Sequence, residues 1–337
     1  MKRIKVGVIG AGRIGKVHIE NISVRIPAVE IVAVADTFVE EAKKVAEKFA
    51  IKSFMSSYKE ILSNREVAAV IICSPTNTHA QYIIESAQAG KHIFCEKPLD
   101  LSLEKIRTVL DTVAKAGVKL MIGFNRRFDP NFAKVQQMVR DGKIGNPHVL
   151  KITSRDPEPP PAEYVAASGG MFLDMTIHDF DMARFVMGTE VSEVYAKANV
   201  LIDSAIGEAG DVDTAVTTLF FENGAIGTID NSRKAVYGYD QRIEVFGSEG
   251  MVMINNNTPD SHIYYNTNGL HGPLPLHFFM DRYTESYAIE MQAFINAIMN
   301  DEDLPVTGKD GLMSVAIGLA AKKSAFENRP VKLSEVL

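Results

Sequence analysis

Residues 4 to 15 constrain the fold more than any other stretch. Ile4-Lys5-Val6-Gly7-Val8-Ile9 alternates as a strand does, and Gly10-Ala11-Gly12-Arg13-Ile14-Gly15 turns out of it into a helix-compatible segment. This is the G-x-G-x-x-G fingerprint in the context that gives it meaning. The first glycine allows a tight turn, the second lets backbone approach a pyrophosphate, and the third lets the helix pack closely on the strand. Amide groups and the positive end of the helix dipole then favour the anionic phosphates. A second strand, Ile31-Val32-Ala33-Val34-Ala35, ends in Asp36, about twenty residues past Gly15, where a carboxylate accepts hydrogen bonds from an adenosine ribose. Asp36 would repel a 2'-phosphate, and neither Thr37 nor Phe38 is a cation that would offset it. The expected cofactor is therefore NAD; the competing account of Asp36 is a helix-capping aspartate.

The rhythm that follows extends the pattern. Strand-like runs at 4–9, 31–35, 67–73, 92–95 and 118–122 alternate with helix-like stretches near 14–24, 38–49, 78–89 and 103–116. Strands alternating with helices imply a doubly wound parallel sheet, a Rossmann domain over 1–123. Gly90 and Gly117 stand where helices end, and Ser102 stands where one begins. Past a helix around 130–140, strand-like runs recur at 147–155, 192–200, 215–221, 225–230, 241–246, 250–255 and 261–266. Several of their connections are too short for helical crossovers. Phe221-Glu222-Asn223-Gly224-Ala225 and Gly247-Ser248-Glu249-Gly250 carry hairpin turn signals. The second domain, 124–337, is expected to be α+β: a largely antiparallel open sheet with helices on one face, closed by helical stretches at 283–299 and 309–326.

Composition limits the function classes. The 337 residues are 46% hydrophobic and 23% charged, enough for two cores, and the net charge of -6 disfavours a nucleic-acid partner. No apolar run is long enough to span a bilayer. Met1-Lys2-Arg3 precedes a stretch broken by glycines, without a signal-peptide cleavage pattern, so a cytoplasmic location is expected. Cys73 and Cys95 both end apolar runs and read as buried thiols rather than a disulfide or a metal site.

Ligands of open parallel sheets bind at the carboxyl ends of the strands. Two loops there are chemically specific: Ser74-Pro75-Thr76-Asn77-Thr78-His79 and Glu96-Lys97-Pro98. Ser74, Asn77, His79 and Glu96 join Gly10, Gly12, Arg13, Ile14 and Asp36 as candidate cofactor contacts, although a residue at the His79 position equally caps or packs. Pro98 restrains Lys97 toward extended geometry, which weakens its reading as a solvated cation. In the second domain Asp174 and His178 are four residues apart, on one face if the stretch is helical. Histidine titrates near neutrality and a carboxylate raises its basicity, which suits removal of a hydroxyl proton as hydride leaves carbon. Lys97 would steady the oxygen as charge develops on it. The alternatives are a helix-surface pair, or metal ligation by Asp174, His178 and Asp181. A metal is disfavoured because a nicotinamide accepts hydride without one and no thiol or second histidine is near in sequence.

In this order and spacing, Gly10-Ala11-Gly12-Arg13-Ile14-Gly15, Asp36, Glu96-Lys97-Pro98 and Asp174-x-x-x-His178 resemble the glucose-fructose oxidoreductase/inositol dehydrogenase/rhizopine-catabolism (Gfo/Idh/MocA) family, from Ile4 to the last helix. Ser154-Arg155-Asp156-Pro157-Glu158-Pro159-Pro160-Pro161, followed by Gly169 to Asp181, is similar to its bacterial inositol-oxidising branch. The resemblance implies NAD-dependent oxidation of the axial hydroxyl of myo-inositol to 2-inosose, in inositol catabolism. It makes His178 the general base, Asp174 its partner and a substrate ligand, and Lys97 the residue on the reacting oxygen. It also implies a cis bond between Lys97 and Pro98, and a homotetramer assembled through the open face of the second-domain sheet.

Further substrate contacts are less determined. Arg127, just past the fifth strand, is either a substrate or ribose contact or a solvated linker charge. Asp156 and Tyr237 fall where relatives present substrate-facing side chains, while a strand-end carboxylate and a packed tyrosine are equally ordinary. Pro159-Pro160-Pro161 reads as a stiff loop at the mouth of the site rather than a peptide ligand. Oxidation of scyllo-inositol, chiro-inositol or an aldose is the nearest alternative activity, since one rotated hydroxyl would change few motif residues. A dinucleotide-sensing regulator belongs to another class and would need none of Lys97, Asp174 and His178.

Overall fold

The computed structural model describes residues 3–337. Contacts divide the chain into two compact units, one made of Met1–Phe128 with Glu285–Met313 and the other of Asp129–Thr284 with Ser314–Leu337. The division at 123/124 read from the strand and helix rhythm assigns 285–313 to the second domain, whereas the contacts place it with the first. Aromatic packing shows how it is held there: the rings of Phe94 and Phe294 lie 5.8 Å apart.

In the first unit, strands β1 (Ile4–Ile9), β2 (Val29–Ala35), β3 (Ser53–Met55), β4 (Ala69–Ile72), β5 (His92–Glu96) and β6 (Leu120–Gly123) form one parallel sheet in the order β3-β2-β1-β4-β5-β6. The chain reverses its direction of travel between β1 and β4, which is where open sheets of this class take their ligands. Ala69, Val70, Ile71 and Ile72 are all fully buried, as expected of a strand with helices on both of its faces. The helix signals behave as expected: Ser102 Oγ accepts from the Lys105 N–H, and Gly90 and Gly117 have φ of 69° and 65°. The short edge strand β3 and the helix Tyr58–Ser63 after it are additions that the apolar pattern does not announce.

Closest of all is the approach at the glycine turn. A Cβ on Gly15 would stand 2.0 Å from the Gly10 carbonyl oxygen, and one on Gly10, whose φ is +105°, would stand 2.6 Å from the Cys73 carbonyl. No other residue type fits either place. The helix Arg13–Arg25 is thereby laid directly on the first βα turn.

The second unit contains β7 (Pro147–Arg155), β8 (Val191–Asn199), β9 (Thr214–Phe221), β10 (Ile226–Ser232), β11 (Asp240–Gly247), β12 (Gly250–Ile254), a separate hairpin of β13 (Tyr264–Asn266) and β14 (Gly269–His271), and β15 (Val331–Lys332). The large sheet runs β12-β11-β7-β10-β9-β8-β15 and is antiparallel throughout except for the β7–β10 pair. Both turn signals form hairpins, with Phe221 N–H donating to the Ala225 carbonyl and Gly247 pairing with Gly250. Strand alternation turns Leu150, Ile152, Ile229, Ile243 and Val245 inward, where they are buried beneath helices. The last helix is tied to β8 by the Ser324 hydroxyl, which accepts from the Ala196 N–H and donates to the Arg329 carbonyl.

The outward face is different. Met251 pairs with Phe246, Phe246 with Val149, Val149 with Ile226, and Ile226 with Phe220, an apolar row across five strands. Among the described residues no helix is long and apolar enough to cross a membrane.

Candidate active site

The candidate cofactor residues belong to the first unit. Gly12 precedes the helix Arg13–Arg25 with no side-chain cap, and no acidic residue occupies the first turn. A Cβ on Gly12 would meet nothing within 4 Å, so backbone there is open to a close ligand. Amides at a helix start and open space before them fit a pyrophosphate. Arg13 is exposed and Ile14 half-buried on the first turn of this helix. Asp36 stands beside the turn, its Oδ2 accepting from the Ala11 N–H at 2.7 Å and its Oδ1 from the Phe38 N–H at 2.8 Å. It therefore shapes the turn.

The loops after β4 and β5 carry the remaining candidates of this unit. Ser74 Oγ shares a hydrogen bond with Thr78 Oγ1 at 2.6 Å, and Asn77 is exposed. His79 is 1% exposed, with Nδ1 2.7 Å from the Pro98 carbonyl and Nε2 2.8 Å from the Ser74 carbonyl. Both ring nitrogens face protein carbonyls, so any part His79 plays toward a cofactor runs through the loops it ties and not through a direct bond. Burial moves its pKa below the ordinary histidine value, outweighing the two carbonyls, which favour the charged ring. Lys97 is half-buried, and the Lys97–Pro98 bond is cis, as the resemblance implied. Glu96 Oε1 accepts from His18 Nε2 at 2.6 Å, and His18, Glu96 and Glu290 each bring one ring nitrogen or carboxylate oxygen within 4.8 Å of the others. Arg127 directs one guanidinium nitrogen at Asp310 Oδ1, 2.9 Å, with the pair mostly buried. It is not a solvated linker charge, and it supports the return of 285–313 to this unit.

The acid-base candidates lie in the second unit, on a segment whose geometry differs from expectation. The stretch from Asp174 is not one α-helix. Met171–Met175 forms a wide π-type turn, closed by the Thr176 N–H on the Met171 carbonyl at 2.8 Å, and the α-helix runs Ile177–Met187. Asp174 is the last residue but one of the first element, and His178 is the second residue of the helix. Such turns favour functional positions because they re-aim side chains out of the helical register. Gly170, at φ +77°, opens the turn; a Cβ there would stand 2.4 Å from Asp211 Oδ1, and Asp211 Oδ2 accepts from the Met171 N–H. Burial pushes the Asp211 carboxyl above the ordinary range.

Beneath the segment a buried polar chain fixes it to the sheet. Thr176 Oγ1 donates to Asn231 Oδ1 at 3.0 Å, and Asn231 Nδ2 donates to Asp179 Oδ2 at 2.8 Å and to the Ser154 carbonyl at 3.3 Å. These residues come from the helix and from the parallel pair β7–β10, so the helix cannot slide without breaking buried bonds.

Arg233 gathers the carboxylates. It is 3% exposed and donates through Nη1 to Asp156 Oδ2 at 3.3 Å and through Nη2 to Asp174 Oδ2 at 3.4 Å. Burial opposes its charge, but Asp174 and Asp156 prevail and its pKa lies above the ordinary value. Tyr164 Oη donates to Asp174 Oδ1 at 3.0 Å. Asp156 and Asp174 are therefore brought together, through an arginine that the sequence reading passed over. A signal was present: Asn231 and Arg233 continue the inward alternation of Gly227 and Ile229, and polar side chains at core positions ask for partners. Tyr237 donates to Asp240 Oδ2 at 2.6 Å and accepts from Arg155 Nη1 at 3.1 Å. Burial, then the Asp240 carboxylate, push its phenol pKa up.

A family model described as "Oxidoreductase family, NAD-binding Rossmann fold" of GFO_IDH_MocA matches residues 4–124, and the GFO/IDH/MocA C-terminal domain matches 132–253. The chain is 49% identical to the myo-inositol 2-dehydrogenase of Thermotoga maritima over 334 residues, covering 99% of this chain and 100% of the relative. It is 47% identical to the inositol 2-dehydrogenase of Rhizobium meliloti over 332 residues, 98% and 99% of the two chains. The crystal structure of scyllo-inositol dehydrogenase from Lactobacillus casei with bound NAD(H) and scyllo-inositol superposes with a TM-score of 0.90 at 30% identity, covering 99% of this chain and 100% of that one.

The depressed His79 pKa has a consequence for stability. Its contribution is complete above the unfolded value, about pH 6.5, and is lost as the pH falls through and below it, because the unfolded chain then binds the proton more readily. Between about pH 8 and about pH 5, thermal denaturation should show a steeper loss of Tm for the wild type than for His79→Asn.

Proposed function

We propose that this chain, which belongs to the Gfo/Idh/MocA oxidoreductase family, oxidises the axial hydroxyl of myo-inositol to the ketone 2-inosose with NAD as hydride acceptor. The observation that carries this reading is identity of 49% with a myo-inositol 2-dehydrogenase over the whole of both chains. Bound dinucleotide supplies the hydride acceptor, held by Gly10, Gly12, Arg13, Ile14 and Asp36, with Ser74 and Asn77 on the adjoining loop.

The chain's own residues manage the proton. His178 takes it from the hydroxyl, since a neutral imidazole has the right basicity near pH 7. Asp174 orients that imidazole and grips the polyol, and Arg233 and Tyr164 hold Asp174 in turn. Lys97 hydrogen-bonds the reacting oxygen as the C–H bond breaks and negative charge grows there. Loss of the proton to His178 and of hydride from the carbon leaves the ketone, and bound dinucleotide would take the hydride. Asp156, Tyr237 and Arg127 are the further candidates for the ring hydroxyls, although Tyr237 and Arg127 already hold protein partners.

Asp36 favours NAD over NADP, because its carboxylate lies where a 2'-phosphate would add like charge. Use of NAD and two thiols without a disulfide fit a cytoplasmic catabolic enzyme. The apolar row Met251, Phe246, Val149, Ile226 and Phe220 fits an interface between copies, and a homotetramer is the assembly we infer; sedimentation analysis should read about four protomers, with Phe246→Asp lowering that number. A second reading, oxidation of scyllo-inositol, is favoured by the Lactobacillus casei relative, which holds that isomer.

A polyol panel assayed with both cofactors separates these readings. The expected kcat/KM is highest for myo-inositol with NAD, by about tenfold or more over scyllo-inositol, chiro-inositol and glucose, the discrimination that one mispaired buried hydroxyl imposes. Equal or better specificity for scyllo-inositol or glucose would displace the leading reading. His178→Ala should lower kcat by about 100-fold or more with NAD binding retained, and Lys97→Ala by about 100-fold with the fold intact. Wild-type turnover in His178→Ala would remove the proposed base.

A further inference from the structure

Two buried imidazoles stand against the Glu96-Lys97-Pro98 turn, one on each side of Lys97. On the Glu96 side, His18 is fully buried and donates through Nε2 to Glu96 Oε1 at 2.6 Å. Its ring is met edge-on by Phe94 at 5.0 Å and by Tyr287 at 5.7 Å between centroids, so it has one place to be. The second Glu96 oxygen faces Gly123, where even a Cβ would come within 2.9 Å. The carboxylate is boxed between an imidazole and bare backbone. A separation of 2.6 Å is that of a charge-assisted hydrogen bond, closer than two ligands of one metal ion sit.

On the Pro98 side, His79 Nδ1 lies 2.7 Å from the Pro98 carbonyl, and Nε2 lies 2.8 Å from the Ser74 carbonyl of the neighbouring loop. Both partners are acceptors only, and a neutral imidazole has a single N–H. A role through Pro98 requires that proton on Nδ1, facing the Pro98 carbonyl. Neither histidine is exposed enough to meet a polyol, and neither takes part in the proton and hydride transfers described above.

We propose that His18 and His79 are positioning residues for Lys97, His18 through the Glu96 carboxylate and His79 through the Pro98 carbonyl. A lysine is a point charge on a flexible four-carbon stem, so its aim depends on how firmly the backbone at its root is held. Clamping the residues before and after it removes the root's freedom without touching the ammonium. The inference rests on the reading of Lys97 as the group that grips the reacting oxygen.

Isosteric replacement distinguishes positioning from general packing. A glutamine amide nitrogen reaches where Nε2 stands and an asparagine amide nitrogen where Nδ1 stands. His18→Gln and His79→Asn should therefore keep most of the wild-type kcat, whereas His79→Gln, His18→Leu and His79→Leu should lose about 10- to 100-fold, the scale of an ångström-sized misplacement. NADH affinity, read by its fluorescence, should stay near wild type in both His18 variants. Trace acylation with acetic anhydride, followed on the Lys97 peptide by mass spectrometry, gives a readout that needs no substrate; its rate should change in the three impaired variants and not in the two conservative ones. Equal kcat for His79→Asn and His79→Gln would overturn the proposal even if the leucine variants fail to fold. So would impaired turnover with Lys97 acylation unchanged. Lys97→Ala run beside them isolates the underlying reading: wild-type turnover there removes the role given to Lys97, while the acylation rates still decide whether the histidines hold the turn.

Discussion

Contact of Gly15 with the Gly10 carbonyl is the constraint on which the first unit rests. With 2.0 Å between that oxygen and the place where a Cβ would be, the helix Arg13–Arg25 has no choice but to lie on the turn it leaves. One turn further along, the same helix delivers His18 into the interior, under the end of β5. Glu96 meets it there, and the Glu96-Lys97-Pro98 turn takes its place from that meeting. A packing rule about a missing methyl group thus reaches, through one helix, to the residue on which the proposed chemistry depends.

Much of this was legible in the chain. The period-two runs of Ile, Val and Ala, the glycine turn and the cap residues Ser102, Gly90 and Gly117 specify a parallel sheet because each is a local rule, enforced by residues close in sequence. The Asn223-Gly224 pair marks a hairpin for the same reason. What escaped was non-local or weak. Strand β3 is short and at an edge, with Phe54 exposed, so it lacks the apolar alternation that announces a strand. Residues 285–313 form helices whose pattern says that a face is buried and not against what; the Phe94–Phe294 and Arg127–Asp310 contacts bridge long stretches of chain.

The candidate site divides along the same line. Lys97, Asp174 and His178 stand out because their chemistry is unusual beside apolar runs, and no pairing need be known to notice them. Arg233 and Asn231 are invisible on those terms, since their importance lies in partners about sixty to eighty residues away in sequence, Asp174, Asp156 and Ser154. The π-type turn at Met171–Met175 is also beyond a helical-period reading, because two glycines at positive φ and a distant carboxylate, Asp211, create it. His79 has conspicuous chemistry in the sequence, yet both of its ring nitrogens face backbone carbonyls.

Asp36 has a double attachment whose effect extends to how such a protein can change. One oxygen of its carboxylate holds the Ala11 amide inside the glycine turn while the other holds the Phe38 amide. A lineage that traded this carboxylate for a neutral or basic side chain would lose a strut of the phosphate-binding loop in the same step. Intermediates on that route would be handicapped before they gained anything. Under the role proposed for Asp36, dinucleotide preference is tied to the architecture of the turn, since Ala11 needs another anchor once the carboxylate is gone.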